Sequence, residues 1–176
     1  MTDDLRYPIG RFAPPDRVDA DVRLRFIDVL ADAPRRYREA VRGLDASQLD
    51  TPYRPDGWTV RQVVHHVVDS HLHSYIRCKA AVTETEPVVS DYQEAKWAEL
   101  ADGRTGPVDV SLALLEALHD RWVRFLRSLA ADDFSRTFRH PAYGVRTLDL
   151  TLALYAWHCD HHVAHITNLR SRMGWS

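Results

Sequence analysis

Apolar residues recur along most of this chain at the three- and four-residue spacing of an α-helix. From about Asp19 to Gly43 the positions Val22, Phe26, Ile27, Leu30, Tyr37, Val41 and Leu44 fall on one side. That pattern predicts a first long helix, kinked at Pro34 and ended near Gly43. The turn formers Thr51-Pro52-Tyr53-Arg54-Pro55-Asp56-Gly57 follow, and Thr59 is then placed to cap a second helix from Val60 to about Val82. Leu112, Leu115, Leu118, Trp122, Phe125 and Leu129 define a third helix from Asp109 to Ala130, with Ser111 or Asp109 near its cap. Thr147 opens a fourth that runs to about Met173. Tyr92 to Leu100 reads as a short amphipathic piece. Phe134 to Arg146, which holds His140-Pro141-Ala142-Tyr143-Gly144, reads as a small hairpin-like excursion. Pro8, Gly10, Pro14 and Pro15 deny helix to residues 1–16, so this arm should be extended and pack on something else. Four amphipathic segments imply an all-α four-helix bundle, whose sites are built from side chains converging between facing helices.

Composition narrows what such a bundle does. The chain has 176 residues, 45% of them hydrophobic, which suffices for one core and one domain spanning 1–176. Lys+Arg 23 against Asp+Glu 25 leaves a formal charge of −2, and no basic stripe argues for a nucleic-acid partner. No apolar run is long enough for a membrane span. The acidic start MTDDLRYPIGRF lacks the form of a secretory signal, so a cytoplasmic protein is expected. Cys78 and Cys159 sit in helix-like sequence and read as small reduced core thiols.

Histidine changes the picture. Most of the ten histidines fall in two short windows, His65, His66, His71 and His73 on the second helix and His158, His161, His162 and His165 on the fourth. Imidazole is mostly uncharged near neutral pH and offers a nitrogen lone pair to a borderline cation such as Zn²⁺ or Ni²⁺. Taking Leu148, Leu152, Tyr155, Cys159, Val163 and Ile166 as the apolar stripe of the fourth helix, His162 lies about 40° and His158 about 80° from its centre. His165 lies about 100° away and His161 about 140°, so His161 is expected to face solvent. His158 and His162 are thus aimed inward with a spacing suited to chelation. On the second helix His65 and His66 flank the inward side equally, and periodicity does not choose between them. Asp69 and Asp160 are candidates to orient ligand imidazoles, with exposed helix charges as the simpler reading. Arg35, Arg36 and Arg61 are candidates to receive a carboxylate-bearing thiol, with solvated helix faces as the simpler reading.

These residues carry a resemblance. The run Gly57-Trp58-Thr59-Val60-Arg61-Gln62-Val63-Val64-His65-His66-Val67-Val68-Asp69-Ser70, the later Trp157-His158 with His162, and the ending Met173-Gly174-Trp175-Ser176 resemble the DinB-like superfamily, most closely its YfiT-like branch. Leu5-x-Tyr7-Pro8-Ile9-Gly10 and Leu49-Asp50-Thr51-Pro52-Tyr53-Arg54 are similar to that branch as well. The resemblance spans nearly the whole chain. It implies a four-helix bundle holding one divalent metal per chain, zinc or nickel, on three histidines with water in the remaining positions. By the family pattern the first ligand is His66 and the others are His158 and His162; no catalytic side chain is implied beyond what the metal binds. Members of the branch are provisionally described as metal-dependent hydrolases. Relatives are S-transferases using a low-molecular-weight thiol such as bacillithiol or mycothiol, or a thiol-dependent isomerase. A small-molecule substrate and a homodimer, across which the arm could reach, are the expected partners. The competing expectation is a non-enzymatic helical module whose apolar patches drive self-association, with the metal incidental or structural.

Overall fold

A computed structural model describes residues 5–175 of the protein. Four long helices form it: α1 (Ala20–Val41), α2 (Val60–Thr83), α3 (Val108–Ser128) and α4 (Leu148–Met173). Each begins or ends where local chemistry dictates. Asp19 accepts from the Val22 N–H at 2.9 Å to start α1. Thr59 and Gln62 form a reciprocal capping box at α2, the Thr59 hydroxyl accepting from Gln62 N–H and the Gln62 amide oxygen from Thr59 N–H. Thr147 accepts from Leu150 N–H to start α4. That helix stops at Gly174, whose φ of 66° only glycine adopts without strain. Helix α3 differs from expectation: it starts after Pro107 with no side-chain cap, which leaves Ser111 inside its first turn, where the hydroxyl meets His65 of α2.

The order of the helices around the core is not the order of the chain. Helix α1 packs on α3 and α4, and α2 packs on the same two. Sequential partners therefore sit mainly across the bundle from each other. That arrangement requires the long connections 42–59 and 129–147, and it places α2 directly beside α4. Trp122, Tyr37, Leu30, Leu115, Leu126, Leu148, Leu152 and Ile166 fill the interior without solvent contact. Both nitrogens of one edge of the Arg23 guanidinium hydrogen-bond Asp149, at 2.8 and 2.9 Å, and so tie α1 to the start of α4. Cys78 and Cys159 are free and buried. Burial pushes the Cys78 thiol up to about 12 and that of Cys159 higher still, so neither supplies a thiolate near neutral pH.

The excursion before α4 is a two-stranded antiparallel hairpin, β1 (Thr137–His140) and β2 (Gly144–Thr147), with Phe138 opposite Arg146 and His140 opposite Gly144. Alternation turns Phe138 and His140 inward and Arg139 outward. The amphipathic piece is a single helical turn, Glu94–Trp97, followed by an unanticipated second turn, Ala101–Thr105. The N-terminal arm is not extended throughout, since Leu5 and Arg6, ahead of Pro8, are helical and a turn follows in which the Gly10 N–H donates to the Tyr7 carbonyl; from Gly10 it runs without helix or strand to Asp19. It folds back on α4 of its own chain: Phe12 lies against Trp157, and Tyr7 against His161. No helix among the described residues is long and apolar enough to cross a membrane.

Candidate metal centre

Because α2 and α4 are neighbours, the histidine windows they carry meet. One nitrogen from each of His66, His158 and His162 lies within 4.8 Å of the others. Ring centroids are 5.5 Å apart for His66 and His158, 5.0 Å for His66 and His162, and 4.4 Å for His158 and His162. Trp58, just before α2, lies 4.5 Å from the His66 ring and walls that side. The choice that periodicity left open between His65 and His66 is made by the surroundings. His65 turns toward α3, where its Nδ1 meets Ser111 Oγ at 2.7 Å and its Nε2 meets the Gly106 carbonyl at 3.2 Å. His66 turns toward α4.

Electrostatics prepare all three rings as neutral donors. Burial pushes His66 down to about 4, helped by nearby His165. Burial and the neighbouring imidazoles hold His158 and His162 well below the ordinary histidine value. Their other ring nitrogens are occupied. His158 Nδ1 lies 3.0 Å from His71 Nε2, and His162 Nδ1 lies 3.2 Å from His165 Nδ1. Each ring is thereby oriented with its Nε2 left free.

A second trio, His161, His162 and His165, also lies within 4.8 Å. It shares His162 with the first and has less to offer. His165 spends both nitrogens inside the protein, Nε2 donating to the Arg6 carbonyl at 3.0 Å and Nδ1 meeting His162. His161 itself corrects the sequence reading. Instead of facing solvent it is only 7% exposed, stacked on Trp157 at 4.3 Å and covered by Tyr7. A helical wheel treats the far side of α4 as solvent, whereas the arm occupies it.

The other candidates resolve plainly. Asp160 pairs with Arg36 and Arg35 with Asp32. Neither Asp69 nor Asp160 reaches a ligand-spaced imidazole. Arg61 is not on a solvated face: at 8% exposure it donates to Asp50 and to the Gly106 carbonyl, locking the loops at the start of α2. Val60, Val63, Val64, Val67 and His71 mark the inward side of the second helix in the sequence, and His71 is indeed buried; what sequence reasoning passed over is its partner His119, also buried, and a cavity of about 470 Å³ that opens on His158. Apolar rings and chains, Phe12, Phe138, Leu154 and Tyr155, supply much of its wall, and Arg77, Arg146, Glu94 and His140 supply charge and polarity. Only the inward alternation of β1 hints at this in the sequence.

Three convergent histidines from two helices, one of them lining a cavity, make a group that could hold a metal ion inside a helical bundle. The sequence pattern of the DinB superfamily matches residues 30–166, and the chain belongs to that superfamily. A Bacillus cereus protein that carries the provisional name of metal-dependent hydrolase is 53% identical over 172 residues, which cover 98% of this chain and 99% of the relative. A Bacillus anthracis relative with the same provisional name is equally similar. The solved structure of YfiT from Bacillus subtilis, also provisionally described as a metal-dependent hydrolase and noted for an unusual four-helix bundle topology, superposes with a TM-score of 0.96 at 48% identity, covering 98% of this chain and 99% of that one. A further solved four-helix bundle protein, 18% identical with a TM-score of 0.56 and covering 80% of this chain, shares the fold.

Proposed function

We propose that the chain is a metal-dependent hydrolase of small molecules, with one zinc or nickel ion held by His66, His158 and His162. The observation that carries this reading is the convergence of three neutral imidazoles from two helices with a cavity beside them. The donor set fits: three nitrogen ligands and an open position suit a catalytic zinc or nickel better than calcium or magnesium, which require oxygen. When bound, such an ion supplies Lewis acidity and lowers the pKa of a coordinated water.

The remaining work falls to the chain itself. Phe12, Phe138, Leu154 and Tyr155 give the cavity an apolar wall, which strengthens polar interactions made against it. Arg146 lines the cavity with its guanidinium 5.6 Å from the Tyr143 ring, where it is placed to receive an anionic group on the substrate. Glu94 lines the same cavity, and burial, aided by Asp91, raises its carboxyl above the usual range. It is a candidate to exchange a proton with a leaving group at a carboxyl oxygen.

The test uses protein purified without an affinity tag. Elemental analysis should give about one zinc or nickel per chain, as a single three-histidine site requires. Turnover of an ester and amide panel should be lost on chelation and in His158→Ala and His162→Ala, with the helical circular dichroism retained. Turnover that needs a low-molecular-weight thiol and an electrophile instead would make the site an S-transferase. Stoichiometric metal without turnover of either panel would make the protein a binding module.

A further inference from the structure

We propose that Pro34, His119 and His71 form a directional hydrogen-bond chain that fixes which nitrogen of His158 faces the metal; the inference rests on the ligand reading above. Its origin is a gap in a helix. Proline carries no N–H, so Pro34 leaves the carbonyl of Leu30, four residues earlier in α1, without its helical donor. His119 of α3 places Nδ1 2.6 Å from that oxygen. A carbonyl only accepts, so the proton is on His119 Nδ1, and in a neutral ring its Nε2 must then accept. His71 Nδ1 stands 2.7 Å from that Nε2. His71 is therefore the donor there and has its lone pair on Nε2, which stands 3.0 Å from His158 Nδ1. The same inventory puts a proton on His158 Nδ1 and the lone pair on Nε2, turned to the shared site. One missing amide hydrogen in α1 thus propagates through two rings to a ligand on α4.

The two links through His119 are buried and the one to His158 is part-buried, and no carboxylate takes part. Metal-bound histidines commonly donate their second N–H to a carboxylate, a carbonyl or water. Here the acceptor is a neutral imidazole, which pulls the ligand proton less than a carboxylate does and leaves more positive charge on the cation. The rings stay neutral because burial penalises the charged form, pushing His119 down to about 4. A parallel chain serves the other ligand of α4. His165 Nε2 donates to the Arg6 carbonyl, so His165 Nδ1 accepts from His162 Nδ1. Pro34, His71 and His119 touch neither substrate nor metal and are positioning residues.

Long-range proton–nitrogen spectra of the full chain with ¹⁵N-labelled histidine decide the matter without a variant. In metal-free protein His71, His119 and His158 should each show a single Nδ1–H tautomer, and on zinc addition only the His158 Nε2 resonance of the three should move strongly. An Nε2–H tautomer or an averaged mixture at His71 or His119 would overturn the chain. Zinc affinity by chelator competition is the second readout. His119→Leu, which removes the acceptor for His71, should weaken binding by about 10- to 100-fold. His119→Gln, which keeps both a donor and an acceptor, should stay within a few-fold of the unaltered protein. Wild-type affinity in a folded His119→Leu would also defeat the proposal. Expected tautomers in a protein that binds no zinc would overturn the ligand assignment and leave the chain standing.

Discussion

At the residue scale the centre is decided by which nitrogen of each histidine is left over. His162 belongs to both trios, so its loss alone does not say where a metal sits. The discriminating pair is His66 and His161. His66→Ala should remove zinc from the purified protein, whereas His161→Phe, which keeps the stack on Trp157, should retain it at unchanged stoichiometry. The opposite pattern in elemental analysis would move the site to His161, His162 and His165. The inward aim of His158 and His162 was legible from spacing, since residues four apart on a helix point the same way. His66 was legible only through the family pattern. Nothing in the spacing of His65 and His66 reveals that Ser111 and the Gly106 carbonyl wait for the first of them on another element.

At the element scale the helices that carry the histidines are held by their first turns. The capping box at Thr59 satisfies two amide donors at the start of α2, and it also sets the rotational phase that points His66 at α4. Thr59→Ala should cost about 1 kcal/mol of stability, as loss of a cap does elsewhere, and Thr59→Ser should recover most of it; urea unfolding checks both. The caps of α2 and α4 were readable in the sequence because threonine before an apolar periodic run has a direct mechanism. The start of α3 was not. Ser111 looks like a cap in one dimension, but a side-chain hydroxyl bonds whatever donor or acceptor the fold brings nearest, and the fold brings His65. Pro34 shows the same limit in another form. Its missing N–H was evident, yet the histidine that uses the released carbonyl lies on α3.

At the scale of the whole molecule, the cost of keeping so many imidazoles neutral should appear as pH dependence. His119 holds its proton only below about 4 in the folded chain, against an ordinary value of 6.5. An unfolded chain takes up that proton first as pH falls. Stability is therefore full above about 6.5 and declines toward 4, His119 contributing a slope of up to about 1.4 kcal/mol per pH unit. Denaturant unfolding of metal-free protein at several pH values should show this decline, and His119→Gln should flatten it by that amount; parallel curves for the two proteins would contradict the burial argument. The number and type of the long helices, and the caps that start α2 and α4, follow from the sequence alone, because a 3.6-residue apolar period and capping chemistry act locally. The inward pair on α4 follows for the same reason. Helix adjacency does not: placing α2 beside α4, folding the arm over His161 and enclosing the cavity depend on how apolar stripes of similar width choose partners. Burial is a sum over the whole packed chain and has no local signature, so only the tertiary structure could bring His66, His71 and His119 to one place.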